Sequence, residues 1–119
     1  QQLIDYAMST RRPIQVQELA SRINVGRRTV ERAFRSTLGI SPYRFLRLHR
    51  YNCLHHELSR ASCRQSTVTS LLLDWGFSEP GRAAVEYRQL FGESPSATLA
   101  DHPRRPNLRI ADAIVNQKK

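Results

Sequence analysis

Hydrophobic positions along the chain recur at helical spacing from the first residues. Leu3, Ile4 and Ala7, with Met8 beside them, share one side of a short helix that the RRP run at 11–13 interrupts, because proline disfavours helix in the residue before it. Val16, Leu19, Ala20 and Ile23 make the inward face of a second short helix. Asn24-Val25-Gly26 is a tight connection, with Gly26 placed to cap the next helix. In that third helix Val30, Ala33, Phe34, Thr37 and Leu38 form one stripe. Arg28, Glu31, Arg32 and Arg35 repeat at i, i+3, i+4 and i+7 on another, and Gly39 ends the helix. One face is therefore expected to enter a core while the other turns guanidinium groups outward.

Ser41 and Pro42 supply an N-cap and a first helical residue for a long helix in which Leu46, Leu54 and Leu58 recur and no breaker falls before about Ser62. At ~1.5 Å per residue, positions 43–60 form a rod roughly 27 Å long. STVTSLLLDWGF, SEPGRAAVEYRQLF and SPSATLA predict three more helices, and no stretch alternates with period 2. The basic, polar tail after Asp101 is expected to be weakly ordered, with one short helix over 108–115. The reading is all-α with about seven helices.

The pattern occurs twice. Val16, Leu19 and Val25 have partners 52 residues later at Val68, Leu71 and Phe77. Beyond the turn the spacing becomes 53: Phe34 pairs with Tyr87, Arg35 with Arg88, Gly39 with Gly92, Ser41-Pro42 with Ser94-Pro95, and Leu46 with Leu99. Each copy reads short helix, three-residue turn, second helix, Gly, Ser-Pro, the layout of a helix-turn-helix. The chain thus divides into a first subdomain over 1–42, a linker helix over 43–62, a second subdomain over 63–102 and a basic tail over 103–119. A rod of that length separates two units by a distance comparable to one turn of B-DNA, ~34 Å, so that both second helices meet successive major grooves.

Charge points the same way. Lys and Arg number 19 against 10 Asp and Glu, a formal net charge of +9, which favours phosphate polymers or anionic surfaces as partners. Only Lys118 and Lys119 are lysine, and arginine's planar fork suits bidentate contact with phosphate and guanine. No apolar run is long enough to span a bilayer, and two cysteines, Cys53 and Cys63, make no disulfide framework. The chain opens without Met on a segment that already reads as helix, as expected of a piece of a longer protein.

ELASRINVGRRTVERAFRSTLGISPYRFLRLHR and WGF…GR…YRQLFGESPSATL, covering about Leu3 to Ala100, resemble the DNA-binding domain of the AraC/XylS family of bacterial transcription regulators. The resemblance implies a bipartite helix-turn-helix domain that binds promoter DNA without a cofactor. It also implies an activator that works with RNA polymerase in the cytoplasm, on the nucleoid, attached to an effector-sensing or dimerising domain absent from this sequence. Matching residue by residue places Arg28, Glu31 and Arg32 over base edges. The chemistry agrees: arginine bridges O6 and N7 of guanine, and glutamate accepts from cytosine N4. Arg27, Thr29 and Arg35 flank them as phosphate contacts.

The second unit differs. Spacing pairs Arg28 with Gly81, Glu31 with Ala84 and Arg32 with Val85. Arg82 remains the long donor near the start of that helix, and Val85 offers a surface for a thymine methyl. Ser78, Arg88 and the helix N-terminal amides are left for phosphates. The first unit is therefore expected to carry most base discrimination. The resemblance also implies alanine at 72 and a bulky aromatic at 83, where this chain has Leu72 and Ala83, a pattern of volume exchange between packed helices.

His49, Cys53 and His56 fall at i, i+4 and i+7 but lack an evident fourth ligand, with His55 and Cys63 nearby. They read as a linker helix with a small core cysteine and surface histidines, not as a metal site. Trp75 and Phe77 read as core and turn residues. No nucleophile triad, phosphate-cradling glycine loop or carboxylate pair argues for an enzyme. A membrane-binding cationic module and a protein-interaction module are the rival classes, and the long helix lacks the uninterrupted apolar face that the first would require.

Overall fold

The computed structural model describes residues 2–10, 12–60 and 67–100, with side chains from Ile4 onward. The expected tail over 103–119 with its helix at 108–115, the start of the second subdomain at 63–66 with Cys63, and the side chain of Leu3 lie outside the described residues. Within them the chain is all-α, with seven helices and no strand: α1 (Gln2–Ser9), α2 (Val16–Ile23), α3 (Arg27–Leu38), α4 (Pro42–Arg60), α5 (Val68–Asp74), α6 (Pro80–Phe91) and α7 (Pro95–Ala100).

Two compact units divide the chain at Arg50/Tyr51, inside α4. The helix expected as a separate linker is therefore shared, its first half belonging to one unit and its second half to the other. In the first unit α1, α2 and α3 pack together. Leu19, Val30, Phe34, Phe45 and Leu48 are fully or almost fully buried. The Phe34 and Phe45 rings meet at 5.2 Å. In the second unit Tyr51, Leu54 and Leu58 of α4 join Leu71, Leu72, Trp75, Phe77, Ala83, Tyr87 and Leu99 in one core.

The two units repeat each other in hydrogen bonding as well as in sequence. Helix α2 ends at Asn24 with φ 61°, and 52 residues on Gly76 has φ 84°. Around that left-handed residue Asn24 N donates to Ser21 O at 3.1 Å and Val25 N to Ala20 O at 3.0 Å. Gly76 N donates to Leu73 O and Phe77 N to Leu72 O, both at 3.0 Å. At the 53 spacing, Gly39 (φ 77°) and Gly92 (φ 79°) close α3 and α6 in the left-handed conformation that glycine adopts without a Cβ penalty. Ser41 Oγ then accepts from Arg44 N, and Ser94 Oγ from Ala97 N, each at 3.1 Å. The insertion falls between Phe77 and Glu79: Val30 N donates to Gly26 O as Ala83 N does to Glu79 O.

Several expected positions shift. Thr37 is exposed and Ala33 and Leu38 only half-buried, so the core stripe of α3 narrows to Val30 and Phe34. Met8 is exposed and Ile23 half-buried. The larger correction concerns the histidines of α4: His49 and His55 are buried, and among the described histidines His56 alone lies at the surface. One ring nitrogen of each finds a partner inside its own unit. His49 Nε2 lies 3.0 Å from Thr10 O, donating to the carbonyl that follows α1. His55 Nδ1–H donates to the Tyr87 hydroxyl at 2.8 Å, Tyr87 donates to Thr98 Oγ1 at 2.8 Å, and Thr98 donates to the Glu93 carboxylate. His55 also stacks on Phe91 at 4.3 Å. This relay ends on a charged acceptor, so every hydroxyl in it has a donor and an acceptor role. Burial pushes the Tyr87 phenol above its usual range, against the Thr98 hydrogen bond, so it stays protonated throughout the physiological range. Tyr87→Phe removes the central hydroxyl and leaves two buried groups without it; a loss of about 1–3 kcal/mol is expected in urea unfolding. An unchanged urea midpoint would show the relay to be dispensable.

Candidate nucleic-acid interface

Helix α3 presents Arg27, Arg28, Thr29, Arg32 and Arg35 as exposed residues while Val30 and Phe34 are fully buried on its other face. The arrangement follows from period alone: with two apolar anchors four apart, the residues between them turn outward. Glu31 is half-buried, and its carboxylate lies 3.9 Å from Arg35 Nε one turn away. The charge on α3 is thus an arginine surface with a single acidic group, Glu31, in its middle and paired to Arg35. Gly26 precedes the helix without a side-chain cap, and while Thr29 N donates to Gly26 O, the amides of Arg27 and Arg28 face the open start of α3.

A concave cleft of about 250 Å³ opens beside the start of α3. Its walls carry Arg27, Arg50, Tyr43, Gln15 and Gln17, over Ile14, Val16 and Leu46, and no acidic residue lines it. Gln15 occupies the N-cap of α2 but makes no side-chain cap hydrogen bond, whereas its counterpart Thr67 caps α5 in a reciprocal box with Ser70. Tyr43 and Gln15 carry no motif that would single them out in sequence. The missing cap at Gln15, set against Thr67 in the other copy, was the available signal. Near the same helix start Arg12 pairs with Glu18, and that hydrogen bond holds the Glu18 carboxyl below the usual carboxylate range.

On α6, Ser78 and Glu79 precede the helix, and Arg82, Val85 and Arg88 are exposed. Arg82 lies 3.8 Å from Glu79, and Val85 is 62% exposed, an unusual place for a branched apolar residue. Ala83 and Tyr87 form the buried face. The structure therefore gathers Arg27, Arg28, Thr29, Arg32 and Arg35 on one helix of the first unit, and Ser78, Arg82, Val85 and Arg88 on the equivalent helix of the second. No cluster of three or more His, Cys, Asp or Glu able to hold a metal occurs among the described residues, and no described helix is long and apolar enough to cross a membrane.

Two units, each with a short helix, a tight turn and a second helix that closes on Gly-x-Ser-Pro and exposes arginines, define a tandem helix-turn-helix DNA-binding domain. Residues 19–101 match the family model described as a helix-turn-helix domain, and the chain belongs to the AraC/XylS family of transcription regulators, which are not enzymes. It is 35% identical over 103 residues to a probable thc operon regulatory protein of Rhodococcus erythropolis, across 86% of this chain and 31% of that protein. It is 32% identical over 94 residues to the XylDLEGF operon transcriptional activator 2 of Pseudomonas putida, across 79% of this chain and 60% of that one. The chain thus spans less than two thirds of either relative. Among solved structures it resembles a probable AraC family transcriptional regulator from Rhodopseudomonas palustris (TM-score 0.68, 35% identity, 82% of this chain and 91% of that one). It also resembles the DNA-binding domain of AdpA in complex with a target DNA (TM-score 0.64, 27% identity, 83% and 87%).

Proposed function

We propose that this chain binds double-stranded promoter DNA in a sequence-specific manner, with α3 and α6 each entering a major groove and the two grooves successive. The exposed arginine row of α3, backed by a fully buried apolar face, carries the reading. Arg28, Glu31 and Arg32 read base edges on the first half-site, and Arg82 and Val85 read those on the second. Arg27, Thr29, Arg35, Ser78 and Arg88 hold phosphates. The cleft beside Arg27 and the uncapped start of α2 offer a further phosphate seat, with Tyr43 and Gln15 as donors. The relatives named as transcriptional activators support reading the parent protein as an activator, and the family resemblance adds a place in the bacterial cytoplasm, RNA polymerase as a partner and a separate effector-binding domain. No cofactor enters the reading.

Because α3 bears long donors where α6 bears small residues, Arg28 and Arg82 should fail differently. With duplexes selected from a randomised pool, Arg28→Ala should cost about 1–3 kcal/mol and relax preference at one guanine. Arg82→Ala should weaken binding with a smaller change in preference. Equal loss of discrimination from both, in competition against single-base variants, would reject the asymmetry. Two protected stretches centred about 10–10.5 base pairs apart in a footprint would support docking in successive grooves.

A further inference from the structure

Two residues on the outer face of α6 are poor helix formers that packing does not require. Gly81 is the second residue of the helix, its φ is not among the positive values found at Gly39, Gly76 and Gly92, and a Cβ placed on it would meet nothing within 4 Å. Neither backbone conformation nor neighbouring atoms call for glycine there, and glycine weakens a helix relative to alanine. One turn on, Val85 is 62% exposed, a β-branched side chain that gains little from burial in the unit. The duplicated hydrogen bonds, Val30 N to Gly26 O and Ala83 N to Glu79 O, put Gly81 and Val85 in the register of Arg28 and Arg32. Where the first unit projects the guanidinium groups of Arg28 and Arg32, the second presents Gly81 and Val85, a small and an apolar residue between the exposed Arg82 and Arg88.

Resting on the DNA-binding reading above, we infer that Gly81 and Val85 form a close-approach surface that selects A·T base pairs through thymine C5-methyl groups, in contrast to the guanine-reading face of α3. The absent side chain at Gly81 lets the first turn of α6 lie against the duplex. That approach brings the Val85 methyls within van der Waals reach of a thymine methyl in the major groove. A side chain at 81 holds the helix off by the width of a methyl group, and the short Val85 side chain then no longer reaches.

The test uses the whole chain and a duplex it selects from a randomised pool. Gly81→Ala should raise the melting midpoint of the second unit by about 2–6 °C, since alanine is the better helix former and fits the space. It should at the same time weaken binding about tenfold, equivalent to ~1.4 kcal/mol. Opposite signs in stability and affinity are the signature, because a merely structural glycine moves both together. Replacing thymidine by deoxyuridine in the second half-site should weaken binding by about fourfold per contacted methyl. Val85→Ala should bind the two duplexes equally. If Gly81→Ala binds as tightly as the unchanged chain, or deoxyuridine has no effect, the inference is overturned. Arg28→Ala separates the two levels: lost discrimination there beside an indifferent Gly81→Ala overturns this inference alone, whereas a chain that selects no duplex overturns the DNA-binding reading with it.

Discussion

Leu72→Ala is expected to destabilise the second unit by about 2–5 kcal/mol, enough to bring a small, marginally stable core close to unfolding. Leu72 is 1% exposed and shares its core cluster with Ala83, also 1% exposed. In the first unit the corresponding pair is Ala20 and Val30, both buried. The two units thus fill the same pair of positions with opposite size orders, and removing the large member from the second leaves small residues at both. Leu72→Ala combined with Ala83→Val rebuilds the first unit's pair and should recover part of the loss, a non-additivity that neighbouring positions show and distant ones do not. The chain's single tryptophan makes this measurable. Trp75 is 9% exposed and its Nε1 donates to Glu57 at 2.7 Å, so its fluorescence reports the second unit. A urea midpoint unchanged by Leu72→Ala would end the volume-exchange account.

Affinity for a selected duplex should fall by roughly 10³–10⁵ between 50 and 200 mM salt, as counterions released from about 6–10 contacted phosphates are no longer worth releasing. The formal charge of +9 and the exposed arginines of α3 set that sensitivity. The contribution should be uneven. Arg27 and Arg35 flank the reading face of α3; Arg35 lies 3.9 Å from Glu31 and Arg82 3.8 Å from Glu79, so each of these two is partly neutralised by its neighbour. Arg27→Gln with Arg35→Gln should lower the slope of log affinity against log salt by about 2, close to one for each phosphate contact removed. A salt titration by fluorescence anisotropy that returns the same slope for both chains would remove those residues from the phosphate set.

Most of the architecture could be read before any coordinates. The 52 spacing extends to backbone conformation, which the spacing alone did not state: Asn24 and Gly76 are both left-handed at the same place in two copies of one turn. The α3 arginines were legible because a helix with buried residues at 30 and 34 has no other face for them. Less legible was α4. Its leucines suggested one stripe and its histidines a wet surface, yet His49 and His55 lie inside, each bonded to a residue distant along the chain. A histidine's burial depends on whether another element brings an acceptor to it, and Thr10 and Tyr87 are not local information. The Tyr43 cleft escaped notice for the same reason: it gathers residues from three separate segments.

Local rules were enough for the helices, their caps, the tandem repeat and the sign of the outer surface, because periodicity, glycine and proline act within a turn or two of the chain. Folding in three dimensions alone determined which polar groups were taken inward and what partners reached them, and which surface glycine and valine were left without internal purpose. Those outcomes depend on atoms that meet only after distant segments have packed, and no nearest-neighbour pattern encodes such meetings.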